Sequence, residues 1–184
     1  MSLLMPFVAQ LDVILSRDIK GDAARCRIIA RRLIGLLTPD WLPAEAIAPG
    51  KESYGRHLLH EDAAGRYSIG SFVWRPGEAT PIHDHHCWGV MGVARGRLVS
   101  QDFQASGDGR GGLRHAASVI IPRGQTIWLS PSSGDIHRLF NPAPTTAISI
   151  HVYGAAFSAI CRNRYDDPAE TEAPLLSAIA RKRL

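Results

Sequence analysis

The chain has no apolar run near the roughly 20 residues that a membrane-spanning helix needs. It has only three cysteines in 184 residues, and Cys26, Cys87 and Cys161 fall into no pairing pattern. An odd, unpatterned set argues against a disulfide-stapled secreted domain and fits a reducing compartment, so a cytoplasmic location is expected. The N-terminus, MSLLMPFVAQLDVILS, lacks the early positive charge of a secretion signal, and Asp12 interrupts its apolar stretch. Internal repeats and flexible linkers are absent too. So is a single concentrated charge patch, although the net charge is +4. Arg25, Arg27, Arg31 and Arg32 cluster, as do Arg181, Lys182 and Arg183. The first group reads as the solvated face of a helix and not as a nucleic-acid surface. Neither nucleic acid nor membrane is an expected partner, and a monomer or weak homo-oligomer is expected.

What is present is ordinary globular material. Apolar residues make up 45% and charged residues 21% of a chain long enough to bury a core. Apolar residues recur at helical spacing from Leu3 to Leu15. A second helix is predicted from about Asp22 to Leu37, stopped by Thr38-Pro39, with Cys26, Ile29, Leu33, Leu36 and Leu37 on one face. From Tyr54 to Tyr153 the texture changes to short β-rich runs split by Gly and Pro: RHLLH, YSIGSFVW, CWGVMGVARGRLVSQDF, ASVIIPRG, QTIWLS, HRLFN and TAISIHVYG. Many short strands at regular spacing predict an all-β barrel or sandwich. The Gly-rich stretch 106–112 reads as a surface hairpin loop. The polar tail from Asp166 holds a possible short helix at about 172–181. The expected organisation is one domain over 1–184, with a helical lead-in at 1–40, a β-barrel core at 50–155 and a tail at 166–184.

The chemistry centres on His83 and His85. In a strand, residues i and i+2 face the same way, so both imidazoles can approach one metal while Asp84 points away. His137, on a separate β-rich run, is the best third ligand. The spacing Gly77-x5-His83-x-His85-x3-Gly89-x6-Gly96 resembles the first cupin motif. Pro131-x2-Gly134-x2-His137-x3-Asn141 resembles the second, with one extra residue between Pro and Gly. The resemblance implies a cupin double-stranded β-helix, a jelly-roll barrel. Many cupins place a glutamate ligand where this chain has Gly89. Three neutral imidazoles then leave the full charge of a divalent ion to a substrate that brings its own anionic ligand, such as a thiolate. Iron(II) suits an open nitrogen site, and zinc also accepts three histidines. His57, His60, His86 and His115 read as structural or surface residues.

A second constellation is Ser149-Ile-His151-Val-Tyr153. Residues 149, 151 and 153 share a strand face and can carry a hydrogen-bond chain of hydroxyl, imidazole and phenol. Ile150 and Val152 alternate with them, so either face could point inward; a polar metal pocket would make the polar face the inner one.

Taken together, YGRHLL (54–59), PIHDHHCWG (81–89), GDIHRLFN (134–141) and SIHVY (149–153) resemble the thiol dioxygenases of the cysteine dioxygenase family. The resemblance implies oxidation of a small thiol to a sulfinic acid by dioxygen at iron(II). It implies that His83, His85 and His137 ligate the iron and that Ser149, His151 and Tyr153 form the family's relay. It further implies that Arg56 binds the substrate carboxylate, with Tyr54, two residues earlier on the same strand face, and Arg162 as further substrate-binding candidates. Gly89 stands where mammalian members carry a cysteine cross-linked to the relay tyrosine. Arg162 stands nine residues after Tyr153, where bacterial 3-mercaptopropionate dioxygenases carry an arginine. L-cysteine is the first expected substrate, with 3-mercaptopropionate or mercaptosuccinate as alternatives. Readings of other classes are a cupin that binds a small ligand without turning it over and a non-redox metal cupin.

Overall fold

The computed structural model describes residues 3–106, 112–160 and 163–165. The chain starts with helices α1 (Leu4–Leu15) and α2 (Asp22–Leu33). The second ends four residues before the predicted Leu37. Ile34–Leu36 continues it as a tighter 3-10 turn. Gly35 weakens the α-helix there, and Thr38 before Pro39 must be extended. The tighter turn still buries Leu36 and Leu37, so all five residues of the predicted face are in the core.

Among the described residues ten strands follow: β1 (Gly55–Glu61), β2 (Ser68–Trp74), β3 (Ile82–His83), β4 (Gly89–Arg95), β5 (Arg97–Ala105), β6 (Leu113–Pro122), β7 (Thr126–Leu129), β8 (His137–Phe140), β9 (Ala147–Tyr153) and β10 (Arg164–Tyr165). They form two antiparallel five-stranded sheets, ordered β1-β2-β9-β4-β7 and β10-β3-β8-β5-β6. The pairs β2·β9, β3·β8, β4·β7 and β5·β6 are nested, like one long hairpin folded over on itself. That nesting is the double-stranded β-helix, the jelly roll expected from the motifs. The run CWGVMGVARGRLVSQDF proves to be two strands in different sheets. Gly96, at φ 72°, turns the chain between them, a conformation that side-chain-bearing residues avoid. The ends of the Gly-rich stretch pair through Ser106 and Gly112 at 2.8 Å. The predicted tail helix at about 172–181 lies outside the described residues.

The helices decide which face of the first sheet is the inside. Ile69, Val90, Ile148, Ile150 and Val152 pack outward against Phe7, Leu11, Ile29 and Leu33. Phe72, Trp74, Met91, Val93 and Tyr153 face the second sheet with Leu98, Ile121 and Leu139. Ile150 and Val152 therefore lie under the helices, and Ser149, His151 and Tyr153 face into the barrel. Gly92 lets α2's extension close on the sheet: a Cβ there would meet both Leu37 methyls at 2.7 Å.

Candidate metal centre

His83 ends β3 and lies directly opposite His137, the first residue of β8. His85 follows two residues later, outside β3, so the two histidines do not share a strand as strand alternation assumed, and His86 next to it takes φ 53°. A left-handed conformation is uncommon for a residue with a side chain, and here it turns the chain immediately after the second ligand candidate. The three rings converge with centroids 4.7, 4.8 and 5.0 Å apart. One nitrogen from each lies within 4.8 Å of the others, and all three side chains are buried. Nitrogens this near one another are candidates to share a single ion, whose bonds would be roughly 2.0–2.2 Å. Three buried neutral imidazoles, with no carboxylate among them, fit a divalent transition metal.

The surrounding groups orient the rings. His83 Nδ1 donates to the Pro81 carbonyl at 2.9 Å, which leaves Nε2 as its lone-pair nitrogen. Ser100 Oγ donates to Asp102 at 3.0 Å and lies 3.4 Å from His137 Nδ1, so His137 also presents Nε2. The His85 backbone N–H donates to Asp135 at 3.0 Å. Asp84 points away from the cluster. It accepts from the Asn163 backbone at 2.8 Å, the Asn163 side chain at 2.9 Å and the Tyr165 hydroxyl at 2.7 Å. Burial raises the Asp84 pKa, but the Tyr165 and Asn163 hydrogen bonds outweigh it and hold the carboxyl below its usual value. The bonds also tie β10 onto the strand that carries His83.

Beside the cluster, Tyr153 stacks over His85 with centroids 5.4 Å apart. Ser149 Oγ lies 2.8 Å from His151 Nε2, and His151 Nδ1 lies 3.1 Å from the Tyr153 hydroxyl. The hydroxyl–imidazole–phenol chain expected along β9 is thus assembled on the barrel's inner face. It extends one step further, because the indole N–H of buried Trp74 donates to Ser149 at 2.9 Å. Tyr54 stacks on Trp74 at 4.5 Å. Arg56 lies on edge strand β1 with its guanidinium 5.9 Å from the Phe72 ring and 5.2 Å from the Phe157 ring. Phe72 in turn packs 4.1 Å from the His151 ring. Among the described residues, Arg56 has no carboxylate partner. Arg162 lies outside the described residues. A cavity of about 280 Å³, lined by Ser100, Asp102, Val119, Ile127, Leu129 and His137, opens beside the cluster. That volume lies just below the usual range of small-molecule pockets, about 300–1,000 Å³.

The remaining histidines serve structure. His57 bonds the Ala48 carbonyl at 2.8 Å, His86 meets Asn163 and Asp84, and His115 meets Ser118. A Cβ at Gly89 would lie 3.5 Å from Tyr153 Cε1, the ring carbon next to the phenol carbon. Motif spacing missed Trp74, Ser100, Asp102 and Asp135. Their roles depend on neighbours in other strands, and nothing in the local sequence signals them.

No protein-family model matches the sequence. Solved structures similar to the chain are cupin, or double-stranded β-helix, proteins. One is an uncharacterised conserved protein with a double-stranded β-helix domain from Klebsiella pneumoniae, at 18% identity over 67% of this chain and 93% of that one, with a TM-score of 0.49. Another is oxalate oxidase in complex with the substrate analogue glycolate, at 18% identity over 67% of this chain and 62% of that one, with a TM-score of 0.49. A third is an RmlC-like cupin from Desulfovibrio desulfuricans, at 18% identity over 61% of this chain and 93% of that one, with a TM-score of 0.44. These likenesses are distant, and the fold stands on the nested strand pairing itself.

Proposed function

We propose that this chain is a cytoplasmic, single-domain, non-heme iron(II) thiol dioxygenase. It would convert a small carboxylate-bearing thiol, with L-cysteine as the first candidate, to its sulfinic acid. The observation that carries the reading is the Ser149–His151–Tyr153 chain ending in a phenol stacked on His85, beside three converging imidazoles. A protein that only binds a ligand has no use for an aligned donor chain at its metal.

His83, His85 and His137 would hold the iron. Iron(II) there would supply open coordination positions for a thiolate and for dioxygen, and the sulfur supplies the electrons as it gains both oxygen atoms. The chain's own residues do the rest. Arg56, which has no carboxylate partner among the described residues, would take the substrate carboxylate as a bidentate fork and so fix the thiol's orientation. Tyr153 would donate a hydrogen bond into the site, held in place by His151 and Ser149. Apolar walls from Ile127 and Leu129 would exclude bulk water beside the imidazoles, which strengthens the Tyr153 hydrogen bond; Arg56, exposed on β1, would meet the substrate at the open side.

The test is oxygen consumption by the iron-loaded protein with L-cysteine, 3-mercaptopropionate, mercaptosuccinate and cysteamine, with product mass. One dioxygen consumed per thiol and a product heavier by two oxygen atoms are expected for a carboxylate-bearing thiol. Cysteamine lacks the carboxylate and should be a poor substrate. Tight binding of iron and thiol without oxygen uptake would instead favour a ligand-binding cupin.

A further inference from the structure

The hydrogen-bond chain on the inner face of β9 could run in either of two directions. In one, Tyr153 gives its hydrogen to His151, His151 gives one to Ser149, and the phenol oxygen faces the metal pocket only as an acceptor. In the other, Ser149 donates to His151, His151 donates to Tyr153, and the phenol hydrogen goes to an acceptor other than His151. The heavy-atom distances of 2.8 and 3.1 Å suit both.

Trp74 separates them. An indole nitrogen is a donor and never an acceptor, so its 2.9 Å contact makes Ser149 Oγ an acceptor on that side. Ser149 is fully buried, and its own hydrogen has one acceptor within reach among the described residues, His151 Nε2. In the reverse direction Ser149 would accept twice and leave that hydrogen buried without an acceptor, which is costly in a dry interior. We propose that Trp74 sets the direction of the Trp74→Ser149→His151→Tyr153 chain and thereby leaves the Tyr153 hydroxyl hydrogen as a donor to an acceptor other than His151. Trp74 is a positioning residue, because it acts only through Ser149 and His151. What that donor is used for rests on the proposed thiol dioxygenation; the direction of the chain does not.

The direction is read from the ring protons of His151. Nitrogen–proton correlation spectra of the full-length protein with zinc added should show His151 protonated at Nδ1 and bare at Nε2. Its signals are those missing from a His151→Asn variant. Trp74→Phe keeps a ring against Tyr54 but has no N–H, and it should raise the Nε2–H form severalfold. Ser149→Ala, which cuts the same link with Trp74 intact, should also remove the preference. An Nε2–H or doubly protonated His151 in the unmodified protein would overturn the proposal, whether or not the variants fold. So would an unchanged tautomer in Trp74→Phe.

Activity supplies a second arm. Trp74→Phe should lower kcat on the order of three- to tenfold, the scale of one neutral hydrogen bond, with KM and iron content unchanged. In a Tyr153→Phe background the same change should have no further effect. An equal loss in that background would make Trp74 a packing residue and overturn the proposal. Absence of oxygen uptake with every thiol would defeat the dioxygenase reading alone, and the tautomer spectra would still decide the direction.

Discussion

At the scale of single residues, the three imidazoles are each aimed by a different neighbour. His83 is aimed by a carbonyl in its own loop, His137 by Ser100 and Asp102 on β5, and His85 through its backbone by Asp135. Removing one ligand should therefore leave two correctly placed donors, too few for a tight site. On the proposed iron(II) reading, His137→Ala should take up little iron on anaerobic reconstitution, and its melting temperature should no longer rise on metal addition. Full occupancy in that variant would refute a three-ligand centre. Arg56 lies over two aromatic rings, with no competing carboxylate among the described residues. On the proposed thiol dioxygenation, Arg56→Ala should lower kcat/KM roughly tenfold to hundredfold, the worth of a charged hydrogen bond, mostly through KM. Unchanged kinetics would move the role to Arg162 or to neither. Position 89 lies against the Tyr153 ring but carries no sulfur. Peptide mass analysis of turned-over protein should find Cys87 and Tyr153 in separate peptides, and a linked pair lighter by two hydrogens would contradict this.

At the scale of elements, the site depends on how the helices sit on the first sheet. Residues of α2 and its 3-10 extension bury one face, and Leu37 closes over Gly92. Any side chain at 92 must displace Leu37. Gly92→Ala should cost about 1–3 kcal/mol by overpacking, seen as a shift in the denaturant midpoint with the slope preserved. Stability equal to the parent protein would show that the helical layer yields more easily than its packing suggests. β10 plays a similar part on the second sheet. It is only two residues long, but Asp84 accepts three hydrogen bonds from Asn163 and Tyr165, and these hold β10 beside His83.

At the scale of the whole molecule, Cys26 reports on the helical layer. It is fully buried, and burial, with Asp22 adding to it, pushes its thiol up to about 12 from an ordinary 9.0. A folded-state value above the unfolded one contributes stability that is complete below about 9. That contribution is lost as pH rises from there toward about 12, because only the unfolded chain gains by ionising. Unfolding free energy should therefore fall more steeply with pH in the parent protein than in Cys26→Ala over that window, measured by denaturant titration. Parallel slopes would mean that water reaches the thiol in the folded state.

The sequence alone determined the β-rich body, the helical lead-in and the likeness of two spaced motifs to a cupin. The motif spacings also singled out the three histidines that the fold brings together, although His85 lies outside the strand that the parity argument assumed. Parity could not say whether Ser149, His151 and Tyr153 or Ile150 and Val152 faced inward, since alternation is symmetrical between the two faces of a strand. The tertiary structure decided it by laying α1 and α2 over the apolar face. Nor could the sequence divide the long run at Gly96, stop α2 at Leu33, or find Trp74, Ser100 and Asp102. Trp74 reaches Ser149 across 75 positions and Ser100 reaches His137 across 37. Contacts of that kind exist only once the nested hairpin has folded over, because pairing across the sheets sets the distance between side chains that the chain itself keeps far apart.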